Sequence, residues 1–286
     1  MAQSALTVSV ETPSGKGSGN ENFPVGSWLI RRELRPHVHA FYRFARQADD
    51  IADNAQLSPE EKLRRLDRMG QVLDGDAGDD APAAVAMRAS LKETRLTPQH
   101  CHDVLHAFRM DATKLRYSDW DDLMNYCRYS ASPVGRQVLE LHGESRDTWA
   151  FSDPLCNALQ VLNHLQDCAE DYRALDRVYL PEQDLADCGS AIADLTQPRS
   201  STGLRRVIDR LLDGTDALIA TARGLPPAVE SSGLRRETGM IVTLAERLSR
   251  RLRRGDPLAR RVGLTGGDFA RALVTGFWRG RRWGQG

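Results

Sequence analysis

Residues 42–53 read YRFARQADDIAD, and what this stretch faces decides the reading of the whole chain. On a helix, side chains three and four residues apart share a face. Tyr42, Arg46, Asp49 and Asp53 are spaced four, three and four apart, so they fall on one narrow stripe. Phe41, Phe44, Ala45, Ala48 and Ala52 lie mostly off that stripe and can pack against neighbours. Such a helix carries oxygen donors and a guanidinium on one side and a core surface on the other.

More than a hundred residues later the pattern returns. Gln160, Asn163, Asp167 and Asp171 are spaced three, four and four apart, with Glu170 beside them and Leu155, Leu159, Leu162 and Leu165 on other sides. A solvated acidic face is the plain alternative, and it fits poorly. Aspartate is a weak interior helix former, and like charges one turn apart cost about 0.2–0.5 kcal/mol per pair. Neither stripe has a lysine, and Arg46 alone accompanies the first. Facing carboxylates suit Mg²⁺, which takes oxygen ligands, keeps waters and completes its shell with substrate phosphates. Asn163 adds a neutral oxygen, and Arg46 a permanently charged fork for phosphate. The histidine and cysteine ligands typical of zinc are absent from these stripes. The implied substrate carries a diphosphate.

The rest of the sequence bounds this reading. The chain has 286 residues, with 39 Lys and Arg against 39 Asp and Glu, so no global field argues for nucleic acid. Cys101, Cys127, Cys156, Cys168 and Cys188 are odd in number without a close pair, which suits a reducing compartment. No signal peptide and no run of about 20 apolar residues is expected. The expectation is a cytoplasmic protein, with peripheral contact at the inner membrane left open.

From Phe23 onward the text reads helical. One helix is expected over RPHVHAFYRFARQADDIAD, the next from Ser58-Pro59, and others from Thr97-Pro98 through His106, from Ser118-Asp119 and from Ser152-Asp153-Pro154. Further helices are expected at roughly 202–223, 235–254 and 267–279, with 74–83 a flexible acidic loop. Alternating β-branched patterns are nearly absent. The expected chain is all-α: a disordered segment over 1–21, one domain over 22–276 and a basic aromatic tail over 277–286.

These motifs resemble the squalene/phytoene synthase family. The resemblance is carried by DDIAD (49–53) after YRFARQA, DCAED (167–171) after LQVLNHLQ, NYCRYSASPVG (125–135), DRVYLP (176–181) and RGDPLARRVGLT (254–265). It implies an isoprenoid synthase bundle around a central apolar cavity, with two or three Mg²⁺ ions held by Asp49, Asp53, Asp167 and Asp171, Asn163 assisting. Tyr42, Arg46 and Gln160 would contact the diphosphate or its ions, and Ser27 would touch the phosphates. Tyr126 would lie near the reacting carbons, with Arg177 and Tyr179 on a flap beyond the second motif. Tyr126, Tyr129 and Phe44 would offer aromatic faces to a cation, each worth about 0.5–2 kcal/mol, and Tyr126 or Tyr129 would position a water.

Within the family, ENFPVGSWLI, NYCRYSASPVG and HLQDCAEDY look most like bacterial hydroxysqualene synthases of hopanoid pathways. That implies presqualene diphosphate and water as reactants, no nicotinamide cofactor, and transient contact with a membrane surface or a presqualene diphosphate synthase. Condensation of two prenyl diphosphates to squalene or phytoene is the alternative, and a non-catalytic lipid-binding or assembly factor is the alternative of another class. Gln166 stands where many relatives carry arginine, and near Leu244 several relatives place a tyrosine that is absent here.

Other features draw blander readings. His100, Cys101, His102 and His106 suit an amphipathic helix better than a metal. Asp111, Lys114 and Tyr117 are poised between cavity rim and solvated loop. The run RLSRRLRRG (247–255) reads as a solvated helix face whose cations favour the helix dipole. The tail FWRGRRWGQG (277–286) has a composition that suits a membrane interface, but a frayed terminus is the blander and preferred reading.

Overall fold

Local chemistry sets most helix boundaries. Ser58 Oγ accepts a hydrogen bond from the Glu61 N–H at 3.3 Å, and Pro59 opens the helix that follows. That helix stops at Gly75, whose φ of 86° favours a residue without Cβ. Asp119 Oδ1 and Ser201 Oγ accept from the Asp122 and Leu204 amides at 2.8 Å and 3.1 Å, opening two more helices.

The computed structural model describes residues 29–282, with side chains through Gly276. Ser27 and the segment 1–21 lie outside the described residues, and so do the side chains of the 277–286 tail. The helices are α1 (Arg35–Ala52), α2 (Pro59–Asp74), α3 (Pro82–Thr94), α4 (Gln99–Thr113), α5 (Trp120–Ser130), α6 (Ser132–Leu141), α7 (Trp149–Leu175), α8 (Glu182–Asp187), α9 (Thr202–Ala222), α10 (Leu225–Ala228), α11 (Ser232–Arg254) and α12 (Gly266–Arg282). No strand occurs among the described residues, and no helix there is long and apolar enough to cross a membrane.

Two boundaries differ from expectation. The α4 helix runs past His106 to Thr113 and so carries Asp111. The α7 helix starts at Trp149, ahead of Ser152, with Pro154 inside it. Tertiary contacts explain the early start. The Trp149 indole lies 4.6 Å and 5.1 Å from the Arg136 and Arg146 guanidiniums and 5.7 Å from the His100 ring. These contacts anchor the first turn, although Pro154 offers no N–H to the carbonyl four residues back.

Two buried cores organise the bundle. The first joins α1 to α4 through Phe41, Phe44, Ile51, Leu66, Met69 and Leu105. The second joins α4 and α5 to α7, α9 and α11 through Leu123, Leu162, Leu165, Leu211 and Leu248. The α4 helix contributes to both, with Leu105 in one and Ala107 in the other. Against the second core, α6 lies so near α7 that a Cβ on Gly135 would stand 2.5 Å from Ser152 Oγ and 2.6 Å from Cys156 Sγ. Thus α1 and α7, the bearers of the two acidic stripes, are rooted in different cores.

Candidate active site

Each stripe forms as its spacing dictates. Tyr42, Arg46, Asp49 and Asp53 are half-buried, while Phe41, Phe44, Ala48, Ile51 and Ala52 around them are buried. On α7, Gln160, Asn163, Asp167 and Asp171 are half-buried among buried Leu162, His164, Leu165, Gln166 and Cys168. The Asp49, Asp53 and Asp167 side chains remain 31%, 20% and 29% accessible. They are recessed, yet water and ions can reach them.

Arg177, from the segment just after α7, reaches the first stripe. Its Nη1 donates to Asp53 Oδ1 at 3.0 Å and to the Tyr179 hydroxyl at 3.3 Å, and its Nη2 donates to the Asp111 carbonyl at 3.2 Å. Its Nε lies 3.6 Å from Asp111 Oδ1. Burial and the charge of Asp167 raise the Asp171 carboxyl to about 7, with Asp53 on the opposite ridge adding to the push and Arg177 opposing it. Burial and Asp53 likewise raise Asp49 to about 8, against Arg46. Arg46 pairs with Asp49 at 3.1 Å and with Asp50 at 3.0 Å. On the α7 side, Arg261 reaches Asp167 at 3.3 Å.

Behind the carboxylates stands a cluster of rings. The buried Tyr126 hydroxyl donates to Asp111 Oδ2 at 2.8 Å. Its ring lies 5.4 Å from Tyr117, 5.7 Å from Tyr179 and 6.0 Å from His164, and His164 stacks on Tyr179 at 3.4 Å. Burial pushes Asp111 up to about 6 against the pull of Arg177 and the Tyr126 hydroxyl. Burial and the nearby Arg177 push His164 down to about 3, so its imidazole is neutral.

Several residues fall elsewhere than expected. Tyr129 packs edge-on to His106 at 4.5 Å, away from the ring contacts that join Tyr117, Tyr126, Tyr179 and His164. Phe44 is fully buried in the first core. Arg177 and Tyr179, expected on a flap, are buried in this structure. They are 6% and 5% exposed, because the segment after α7 is tied to the end of α4 through Val178 N–H to the Leu115 carbonyl at 3.0 Å. The arginine run 247–255 is more than a solvated helix face: Arg247, Arg250, Arg251 and Arg254 line a cleft. Lys114 pairs with Asp122 and lies 4.9 Å from the Tyr117 ring centroid. His102 pairs with Asp74 at 2.9 Å and His100 with Glu140 at 3.2 Å. Gln166 is buried, and its Nε2 donates to the Val262 carbonyl at 2.6 Å, so its amide serves as a tie between helix and loop.

Asp111, His164 and Arg261 complete the site, although the sequence flagged only Asp111, and that ambiguously. His164 adjoins Asn163, but nothing in α7 alone tells which ring it meets. Arg261 lies in a loop ninety-four residues from its partner Asp167.

The donor set fits a hard divalent cation. The expected ligands are all oxygens, and Asp49 and Asp171 are raised by burial and then by the charge of neighbouring carboxylates. Among the described residues no three His, Cys, Asp or Glu side chains already converge as a cage. Mg²⁺ needs none, since it binds through one or two carboxylates, waters and substrate phosphates.

A pH dependence follows from the raised carboxyls. Between about 4 and about 8 the folded protein holds protons on Asp49 and Asp171 that the unfolded chain has released, so folding stability falls as pH rises through this window. Thermal midpoints measured in chelator should carry this downward slope, and Asp49→Asn or Asp171→Asn should flatten it. Added Mg²⁺ should stabilise more as pH rises. A slope unchanged in both variants would refute the assignment.

The sequence profile of the squalene/phytoene synthase family matches residues 17–268. The chain belongs to that family. It is 46% identical over 264 residues to a hydroxysqualene synthase of Rhodopseudomonas palustris, covering 92% of this chain and 90% of the relative. It is also 46% identical over 251 residues to a hydroxysqualene synthase of Zymomonas mobilis, covering 87% and 84%. Among solved structures, the squalene synthase HpnC of Alicyclobacillus acidocaldarius superposes with a TM-score of 0.72 at 34% identity, over 83% of this chain and 89% of that one. A dehydrosqualene synthase, at 21% identity and a TM-score of 0.73 over 88% of both chains, shares the fold. For this family member the expected all-α terpenoid synthase architecture holds, and α1 and α7 carry the two acidic stripes.

Proposed function

We propose that the chain is a hydroxysqualene synthase, converting presqualene diphosphate and water to hydroxysqualene and diphosphate. The observation that carries this reading is that Arg177, from the segment just after the second acidic ridge, binds Asp53 of the first, with Asp171 within electrostatic reach of both and the rings of Tyr117, Tyr126, Tyr179 and His164 beside them. Acid and guanidinium groups would grip an anionic head, and rings would meet its hydrocarbon.

Asp49, Asp53, Asp167 and Asp171, with Asn163, would hold Mg²⁺, which supplies charge neutralisation to a departing diphosphate. Arg46 would exchange its carboxylate partners for phosphate oxygens, and Tyr42 and Gln160 lie on the same ridges to orient them. Arg177 would fix the separation of the ridges, since its donors are already engaged by Asp53, Asp111 and Tyr179. Tyr126, with its hydroxyl committed to Asp111, would present its ring to the carbocation. Water capture then falls to His164. It is 6% exposed, and its Nε2 has no hydrogen-bond partner among the described residues, so this neutral nitrogen can accept a hydrogen bond from one water. No nicotinamide enters the reaction. The presqualene diphosphate would arrive from a membrane or from the synthase that makes it, to a cytoplasmic enzyme lying at the inner membrane surface.

The alternative is condensation of two prenyl diphosphates to squalene or phytoene. Gln166 speaks against it, because its buried amide offers no cation for a second diphosphate.

The test is incubation with presqualene diphosphate and Mg²⁺ without reductant, following diphosphate release and products separately. Wild type should yield hydroxysqualene. His164→Leu should still release diphosphate while the alcohol fraction falls roughly tenfold, the equivalent of one lost hydrogen bond. Recovery of intact substrate from wild type, beside an active control, would end the assignment. An unchanged product mixture in the variant would remove His164 from it and leave the assignment standing.

A further inference from the structure

The end of α11, the loop that follows and the start of α12 enclose a cleft of about 690 Å³. Seven arginines line it: Arg247, Arg250, Arg251 and Arg254 from α11, Arg260 and Arg261 from the loop, and Arg271 from α12. Against them the lining holds one carboxylate, Asp268, which pairs with Arg247 at 3.0 Å and Arg251 at 2.7 Å. Arg250 pairs with Glu246 at 3.1 Å, and Arg261 with Asp167 at 3.3 Å. Arg254, Arg260 and Arg271 are exposed and make no ion pair with any described residue. In a chain of zero formal net charge, this is a concentrated cationic face, and like charges held this close repel unless an anion covers them.

A second observation specifies the anion. Three large hydrophobic residues are exposed among the described ones, Val134, Leu273 and Val274, and the last two lie on α12. Val274, 61% exposed, is one turn beyond Arg271 on the same helix face. A soluble phosphate has no use for exposed aliphatic side chains. A bilayer surface uses both, attracting the guanidiniums with its lipid phosphates and burying Leu and Val at the acyl boundary. In sequence the end of this helix and the residue after it read Phe277, Trp278 and Trp283 among Arg279, Arg281 and Arg282.

We propose that this face docks the protein on the surface of an anionic phospholipid bilayer. Docking there sets the candidate active site beside the lipid, because Arg261 belongs to the cleft and to the Asp167 carboxylate at once. The docking itself stands apart from the assignment of the reaction.

The test is sedimentation of the full-length protein with phosphatidylcholine vesicles, with and without about a third phosphatidylglycerol. Wild type should bind the anionic vesicles and lose them as salt rises. Each basic residue at such a surface is worth roughly fivefold in partitioning, so Arg254→Glu/Arg260→Glu/Arg271→Glu should weaken binding by well over tenfold. Leu273→Ser/Val274→Ser should weaken it at unchanged charge. Both variants alter exposed side chains, and a thermal midpoint checks that they fold. Should the triple variant unfold, the salt titration of wild type and the Leu273/Val274 variant decide. Equal binding by all variants, or no binding by wild type, overturns the proposal. So does stabilisation of wild type by inorganic diphosphate through Arg254, Arg260 and Arg271 with no vesicle binding, which would mark a soluble-anion site.

Discussion

Asp167→Ala yields a folded protein that no longer turns over presqualene diphosphate, and Asp53→Ala does the same. On the proposed function, each loses one oxygen donor from a ridge that would hold cations against a departing diphosphate. If that stabilisation is worth about 4 kcal/mol, the rate falls about a thousandfold. Stability responds differently from rate. Asp167 is half-buried, and its ion pair is with the exposed Arg261, so its removal should move the thermal midpoint little. Asp53 leaves Arg177 with Asp111 as partner, so the guanidinium stays compensated. Helical content by circular dichroism and single-turnover diphosphate release measure the two outcomes. Turnover within tenfold of wild type in either variant would show that the carboxylates do not serve the reaction.

Arg177→Met is expected to damage the fold as well as the chemistry. The guanidinium is 6% exposed and compensates Asp111, itself 4% exposed, while tying α1 to the segment after α7. Removing one partner of a buried pair leaves the other uncompensated, at a cost of about 3–5 kcal/mol. For a chain of this size that corresponds to a fall in Tm on the order of 10 °C. Adding Asp111→Asn should recover much of the lost stability, because a neutral amide is easier to bury than a lone carboxylate. It should not recover turnover, since nothing then spans from Asp53 to Tyr179. Additive losses in the double variant would argue against a coupled pair.

The sequence was informative wherever one helix face tells its own story. The stripes on α1 and α7 were legible from spacing alone, as were the caps at Ser58 and Asp119, because three- and four-residue neighbours are fixed by helix geometry. What spacing cannot give is the partner across a gap. Asp111 read as half loop because α4 was expected to stop near His106. Only the running of α4 to Thr113 carries that carboxylate inward. His164 looked like one more helix residue until Tyr179 stacked on it, and Tyr179 was assigned to a flap until the Leu115 carbonyl drew its segment in. Arginine periodicity on α11 suggested solvent, because the cleft needs α12 and the loop between them to close it. Each of these depends on contacts between elements far apart in sequence.

The two acid ridges are founded on separate cores, so the gap between them belongs to the packing of the whole bundle and to no single loop. Packed halves turn as units more readily than they repack inside, and a slight turn of one against the other would widen or narrow the gap at both rims together. A ligand grasping both rims would convert part of its binding energy into cohesion between the halves. The protein would then be most nearly one body when its reaction begins, and looser once the anionic head has gone.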